Sequence, residues 1–324
     1  MRLTVAEKQE IIQIVERSEL GVNRTLKQLG INKSTFYKWY NAYLNKGSAG
    51  LEPKYASRQR WNAIPQEEKN LVVEIALEYP DLSPRELSCR LTDEKGTFIS
   101  ESSVYRILKS KGLITSPAHI LLSAGNEFSE KTCFVHEMWQ TDFTYFKILG
   151  WGWYYLSTIL DDYSRYIVHW ELCKTMKTED VQRTVVRALA AAGLKNNNKP
   201  KLLSDNGSCY IAAELKCFLK DEKMKLIHGR PNHPQTQGKI ERYHRSMKNV
   251  VKLEHYYCQE ELIAALEKFV TYYNHQRYHE SLGNVTPADV YYGRQDEIKK
   301  YREAVKKNTL KRRRQNYLRM KIAT

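Results

Sequence analysis

The run Trp139-Gln-Thr-Asp-Phe-Thr-Tyr-Phe-Lys-Ile-Leu149, followed by Gly152-Trp-Tyr-Tyr-Leu-Ser-Thr-Ile-Leu160 and Arg165-Tyr-Ile-Val-His-Trp-Glu-Leu172, decides the fold. Aromatic and β-branched residues suit the pleated surface of a strand, and the breaks at Gly150 and at Asp161 to Ser164 divide the stretch into three adjacent antiparallel strands. Downstream the period changes. A helix is expected from Thr178 to Ala192, a short strand over Lys201–Ser204, a helix near Ala212 to Asp221, a strand from Lys225 to His228, a helix beginning around Gln235 and another from Gln259 to about His275. Strands first and then alternation with helices imply a mixed α/β sheet.

Upstream of the sheet the pattern is helical. Residues 4–18 carry the apolar stripe Ile11, Ile12, Ile14 and Val15, a second short helix runs from Val22 to Leu29, and a third starts near Asn32. This is the order of a helix-turn-helix, with Phe36 and Trp39 facing its core and Lys33, Ser34, Thr35, Tyr37 and Lys38 able to reach DNA. A plain three-helix bundle is the alternative. Gly47-Ser-Ala-Gly50, Pro53 and the basic stretch Lys54 to Arg60 suit a linker, after which the pattern repeats: a helix over Gln66–Glu78, a start at Ser83-Pro84, and a last helix from Ser100 to Lys109. There Ser102, Ser103, Tyr105 and Arg106 are the candidate contacts. The chain thus divides into segments 1–48, a basic linker 49–62, a second helix-turn-helix 63–115, a linker 116–133, an α/β core 134–256, a C-terminal helical part of the core 257–293 and a basic tail 294–324.

Composition narrows the partners. The 324 residues carry a net charge of +15, concentrated at the ends, with +6 over 1–62 and +9 over 294–324. Phosphate neutralisation by Lys and Arg supplies the non-specific part of nucleic-acid affinity, although a solubilising surface would also be basic. Six cysteines lack any Cys-x-x-Cys pair, which argues against a disulfide framework and a zinc ribbon. No apolar run is long enough for a membrane span and no secretory signal opens the chain, so a cytoplasmic, nucleoid-associated protein is expected.

Three acids stand out. Asp142 interrupts an aromatic strand, Asp205 directly follows the strand Lys201–Ser204, and Glu241 lies at a helix start among Lys239, Arg242 and Arg245. Each has an ordinary structural explanation taken singly: Asp205-Asn206-Gly207 is also a good turn, and a solvated helix carries mixed charge. Together, on two strands and a helix, they could supply the few carboxylates that Mg²⁺ prefers. Asp161 and Asp162 are rival carboxylates, ranked lower because ion pairing or capping in their turn accounts for them. His228, His233 and His244 fall nearby without the spacing of a zinc set.

The set Trp139-x-x-Asp142-x-Thr144, Leu160-Asp-Asp162-x-Ser164-Arg165, Ser204-Asp205-Asn206-Gly207 and His233-Pro-Gln-x-x-Gly238-x-x-Glu241-Arg242 resembles the catalytic core of the DDE transposases of bacterial insertion sequences, relatives of retroviral integrase. Thirty-five residues separate Asp205 from Glu241, the spacing of that group, and Tyr273-Asn274-x-x-Arg277-x-His279-x-x-Leu282 with Thr286-Pro287 resembles its C-terminal part. The resemblance implies a ribonuclease H-like core over 134–256 behind all-α DNA-binding domains. It implies Asp142, Asp205 and Glu241 as catalytic ligands of two Mg²⁺ or Mn²⁺ ions, with Thr144, Asn206, Gly207, His233 and Gln237 supporting the site and Lys239, Arg242 and Arg245 at DNA phosphates. It also implies binding at the element's inverted repeats, cleavage, attack of the freed 3′-hydroxyl on target double-stranded DNA, and a homo-oligomer on DNA. The zinc-binding His-His-Cys-Cys arrangement of retroviral integrases is absent, as is a leucine zipper. The competing readings are a DNA-binding regulator without chemistry and a nuclease that cuts without joining.

Overall fold

The computed structural model describes residues 5–18, 20–52, 60–114, 132–148, 150–194, 199–229, 237–252 and 255–322. They form two compact units, one within residues 1–61 and one within 62–324.

The first unit holds α1 (Val5–Arg17), α2 (Val22–Gln28) and α3 (Lys33–Lys46), then a 3-10 turn over Gly47–Leu51. Ile12, Val15, Leu26, Phe36 and Leu51 are its buried core, with Trp39 packed against them. The side chain of Asn32 caps α3 by accepting from Ser34 N at 3.1 Å. The unit continues past residue 48, where a linker was expected, because Leu51 is in the core and Gly50 lies against the Ala42 carbonyl. A Cβ at residue 50 would stand 2.0 Å from that oxygen, so only glycine fits. Part of the expected linker, residues 53–59, lies outside the described residues.

The second unit opens with α4 (Gln66–Glu78), α5 (Pro84–Lys95) and α6 (Glu101–Ser110) around Val72, Ile75, Leu87, Leu91, Val104 and Leu108. Ser83 and Glu86 exchange hydrogen bonds in a capping box with Pro84 at the first helical position, which starts α5 where the sequence predicts it. Of the expected linker 116–133, only Thr132 and Cys133 are described.

Five strands follow: β1 (Met138–Ile148), β2 (Gly152–Asp161), β3 (Ile167–Cys173), β4 (Lys201–Ser204) and β5 (Leu226–His228), in the order β3-β2-β1-β4-β5. The first three are antiparallel, while β4 and β5 run parallel to β1. Helices cover both faces. On one, Trp139, Ile159 and Leu202 pack against α7 (Thr178–Ala191), α8 (Ser208–Ile211) and α9 (Ala213–Asp221). On the other, Phe146, Ile148, Tyr154 and Leu156 meet α10 (Gly238–Val251) and α11 (Gln259–His275). Alternate residues of β1 therefore go to different cores, as the two-residue period of a strand requires. The expected architecture, a mixed α/β core behind all-α helices, is the one observed.

The C-terminus departs from expectation. After α12 (Pro287–Tyr291), residues 295–322 are a single helix, α13 (Gln295–Ile322), in place of a tail. One side of α13 packs on the α4–α6 domain through Val305, Thr309 and Arg313, which are buried. Arg313 donates to Glu68 and to the Phe98 carbonyl, Thr309 accepts from Phe98 N at 3.1 Å, and Arg302 forms a two-pronged pair with Asp93 at 2.7 and 2.6 Å. The pattern was illegible because Val305 is the seam's one buried apolar residue and the rest is arginines and a threonine, where an apolar stripe is the usual signal of docking.

Candidate active site

Pairing of β1 with β4 ends at Gln140 and Leu203, two residues before Asp142 on β1 and two before Asp205, which follows the end of β4. Both act electrostatically on the same two side chains: each raises the pKa of Cys209 and of Tyr210, after burial, which is the largest cause in both cases. The sheet switches from antiparallel to parallel at β1, and in open α/β sheets ligands gather beyond the carboxyl ends of parallel strands. Asp205 stands at such an end.

The Asp205 carboxylate is held by its own turn. Its Oδ1 accepts from Gly207 N at 2.9 Å, and a Cβ on residue 207 would lie 2.9 Å from that oxygen, so glycine is what lets the carboxylate sit there. Asn206 donates to the Gly229 carbonyl at 3.2 Å, tying the end of β4 to the end of β5. His228 Nδ1 stands 3.2 Å from the Asp205 carbonyl.

Asp142 is overlooked by α10. Ile240 N donates to Gln140 Oε1 at 3.1 Å, pinning the first turn of that helix to β1, and His244 Nδ1 stands 3.3 Å from Asp142 Oδ2. Farther along, the Lys248 ammonium lies over the Tyr145 ring at 4.8 Å; burial and Lys252 push its pKa down while Asp142 pulls it up. Glu241 follows Ile240 directly and is exposed. Among the described residues no three His, Cys, Asp or Glu side chains lie close enough to hold one metal ion. The structure thus brings Asp142 and Asp205 within electrostatic reach of the same two side chains, and sets Glu241 on the exposed side of the helix whose His244 stands beside Asp142. His233 lies outside the described residues. Thr144, on the Asp142 face of β1, is buried, as is Gln237 at the start of α10.

The rival acids have other work. Asp161 Oδ1 accepts from Ser164 N and Oγ at 2.8 and 2.6 Å and Oδ2 from His136 N at 2.8 Å; burial raises its pKa against these bonds. Asp162 accepts from Gln140 Nε2 at 2.7 Å and Thr132 Oγ1 at 2.6 Å, and pairs with Lys239. Lys239, expected at DNA phosphates, spends its charge on this buried carboxylate, which locks the start of α10 to the end of β2. Arg242 and Arg245 are exposed on α10. The residue that sequence reasoning missed is Gln140, whose side chain joins β1 to both Asp162 and the start of α10; of the nearby histidines it named, His244 is buried beside Asp142.

The helix-turn-helix candidates divide in the same way. On α3, Lys33, Ser34, Tyr37 and Lys38 are exposed and Thr35 half-buried; the Ser34 hydroxyl also donates to Asn32 Oδ1 at 2.9 Å. On α6, Ser102 is exposed, Ser103 and Tyr105 are half-buried, and Arg106 is exposed but folds back on the Ser102 carbonyl at 2.9 Å.

Family models described as "Integrase core domain" match residues 135–234 and 222–287, and models described as "Homeodomain-like domain" match residues 2–52 and 35–108. The chain is 27% identical over 131 residues to the Gag-Pro-Pol polyprotein of Mouse mammary tumor virus, covering 39% of this chain and 7% of that protein. It is 27% identical over 146 residues to an uncharacterized transposase-like protein of Haemophilus influenzae, covering 44% of this chain and 64% of that one. The chain therefore spans less than two thirds of either relative. The HTLV-2 integrase catalytic core domain in complex with magnesium is a similar solved structure, with 19% identity, 49% of this chain and 97% of that chain covered, and a TM-score of 0.39. The chain carries an integrase core domain together with homeodomain-like helix-turn-helix domains.

Proposed function

We propose that this chain, with its integrase core and homeodomain-like domains, is the transposase of an insertion sequence, binding the element's terminal inverted repeats and cutting and joining DNA by in-line phosphoryl transfer. What supports the reading is that Asp142 on β1 and Asp205, directly after the parallel neighbour β4, act on the same two side chains, Cys209 and Tyr210, while α10, whose His244 stands beside Asp142, bears Glu241.

The donor set suits Mg²⁺ or Mn²⁺. Carboxylate oxygens are the hard ligands these ions take, and Asp142 and Asp205 retain exposure to solvent and substrate. Asp142, Asp205 and Glu241 would hold two cations, with Glu241 brought in from α10 once DNA is bound. When bound, such ions supply Lewis acidity and a more acidic attacking oxygen, so no covalent protein intermediate is required. The chain's own part is to orient. Gly207 N holds one oxygen of Asp205, His244 stands beside Asp142, and the Asp162–Lys239 tie fixes the helix start from which Glu241 projects. Arg242 and Arg245 would neutralise phosphates beside the reacting one. In the first step water attacks the scissile phosphorus and a 3′-hydroxyl leaves. In the second, that 3′-hydroxyl attacks a target phosphorus and releases a new 3′-hydroxyl. The active species would be a homo-oligomer on double-stranded DNA.

The test uses duplexes carrying the DNA that flanks the chain's own coding sequence, purified protein and Mg²⁺ or Mn²⁺. Cleaved and joined products are expected. Asp142→Asn, Asp205→Asn and Glu241→Gln should each abolish both while leaving end-binding nearly intact, and a variant with normal cleavage would remove that residue from the set. Cleavage without joining would mark a nuclease, and binding without cleavage a regulator.

A further inference from the structure

The docking of α13 orients a row of charge. At about 100° per residue, Lys300, Lys307, Lys311, Arg314 and Lys321 fall on the side of the helix opposite Val305, Thr309 and Arg313, and all five are exposed. From residue 304 to 322 the helix holds eight lysines and arginines and no acid. Arg312 and Arg313 are consumed by Glu68, so the remaining charge is concentrated on the other faces.

A helix face built only for solubility carries both signs, because like charges three or four residues apart destabilise a helix and opposite charges support it. Here Lys307, Lys311 and Arg314 succeed one another at those spacings; the acids of α13 lie towards its start, Asp296 and Glu297 before Lys300 and Glu303 in an exposed pair with Lys307 at 3.1 Å. A polyanion laid along the row relieves the repulsion. From Lys307 to Lys321 the acid-free row rises about 21 Å at 1.5 Å per residue, a length over which duplex DNA carries one negative charge per roughly 1.7 Å of its axis. The buried Arg313–Glu68 pair and the part-buried Arg302–Asp93 pair dock the helix on the α4–α6 domain, so the row faces outward before any ligand arrives.

We infer that the outer face of α13 is a binding surface for the phosphate backbone of double-stranded DNA, acting without regard to base sequence and docked on the α4–α6 domain. The inference rests on the chain being a DNA-acting protein, and extends that reading to a part of the chain it did not assign.

The experiment is fluorescence anisotropy of the full-length protein on a 30-base-pair duplex of arbitrary sequence, across a series of NaCl concentrations. Each phosphate contact contributes about 0.9 to the slope of log affinity against log salt. The K307Q/K311Q/R314Q variant should show a slope shallower by about 2 to 3, with weaker binding at low salt. K307R/K311R should keep the wild-type slope, and unfolding of both variants should match wild type because these side chains are exposed. An unchanged slope in the glutamine variant would overturn the inference and leave the face to an acidic protein partner. Wild-type protein that binds no duplex would instead defeat the recombinase reading itself. Loss of strand joining alone, with the slope behaving as stated, would defeat only the chemistry.

Discussion

Asp205 owes its position to Gly207. The amide of Gly207 holds one carboxylate oxygen and its missing side chain makes room for it, so Gly207→Ala should displace the carboxylate without unfolding the protein. Metal-dependent cleavage is expected to fall at least tenfold, about 1.4 kcal/mol in barrier, with the melting temperature within a degree or two of wild type; intact cleavage would count against Asp205 as a ligand. His279 gives a residue-scale prediction of a different kind. Burial, with Arg277, Arg165 and Arg85 nearby, lowers its pKa to about 3. A histidine kept neutral in the fold binds a proton more readily when unfolded, near pH 6.5. Stability from His279 is therefore complete above about pH 6.5 and lost progressively as pH falls toward 3. Thermal melts from pH 7.5 to 4.5 should show that loss, and His279→Gln should flatten it; an equally steep acid limb in the variant would assign the loss to other groups.

At the scale of elements, the informative contacts are polar and distant in sequence. Lys239 and Asp162 join α10 to the end of β2, and Glu68 with Arg313 joins α4 to α13. Arg313→Ala leaves a buried carboxylate with only the half-exposed Arg312, which should cost about 3 to 5 kcal/mol by the usual penalty for breaking a buried pair. Urea unfolding measures it, and the Glu68→Gln/Arg313→Ala double variant should recover part of the loss. The strands were legible because aromatic and β-branched residues alternate with turns, and α5 because Ser83, Pro84 and Glu86 spell a cap. The docking of α13 was not, since the pairs that produce it involve charged residues more than 200 positions apart. Local pattern reports a helix's propensity and its apolar face; it carries no information about which remote acid an arginine meets.

On the scale of the whole molecule, residues 1–61 and 62–324 each have a core of their own. Removing residues 1–52 should therefore leave the unfolding transition of the remainder unchanged while end-specific binding is lost, as calorimetry and gel-shift assays would show; a large drop in melting temperature would contradict the independence of the two cores. By itself the sequence determined the class of every core strand, the helical N-terminal domains, and the order and spacing of Asp142, Asp205 and Glu241. Those features depend on neighbours within a few residues, or on motif spacing along the chain, and both are written in one dimension. Only the tertiary structure decided that Asp142 and Asp205 act on the same pair of side chains, that His244 stands beside Asp142, that Lys239 pairs with Asp162, and that the basic C-terminus is a docked helix. Strand register, burial and ion pairing are set by the packing of remote segments against one another, where the desolvation of each charge depends on what covers it.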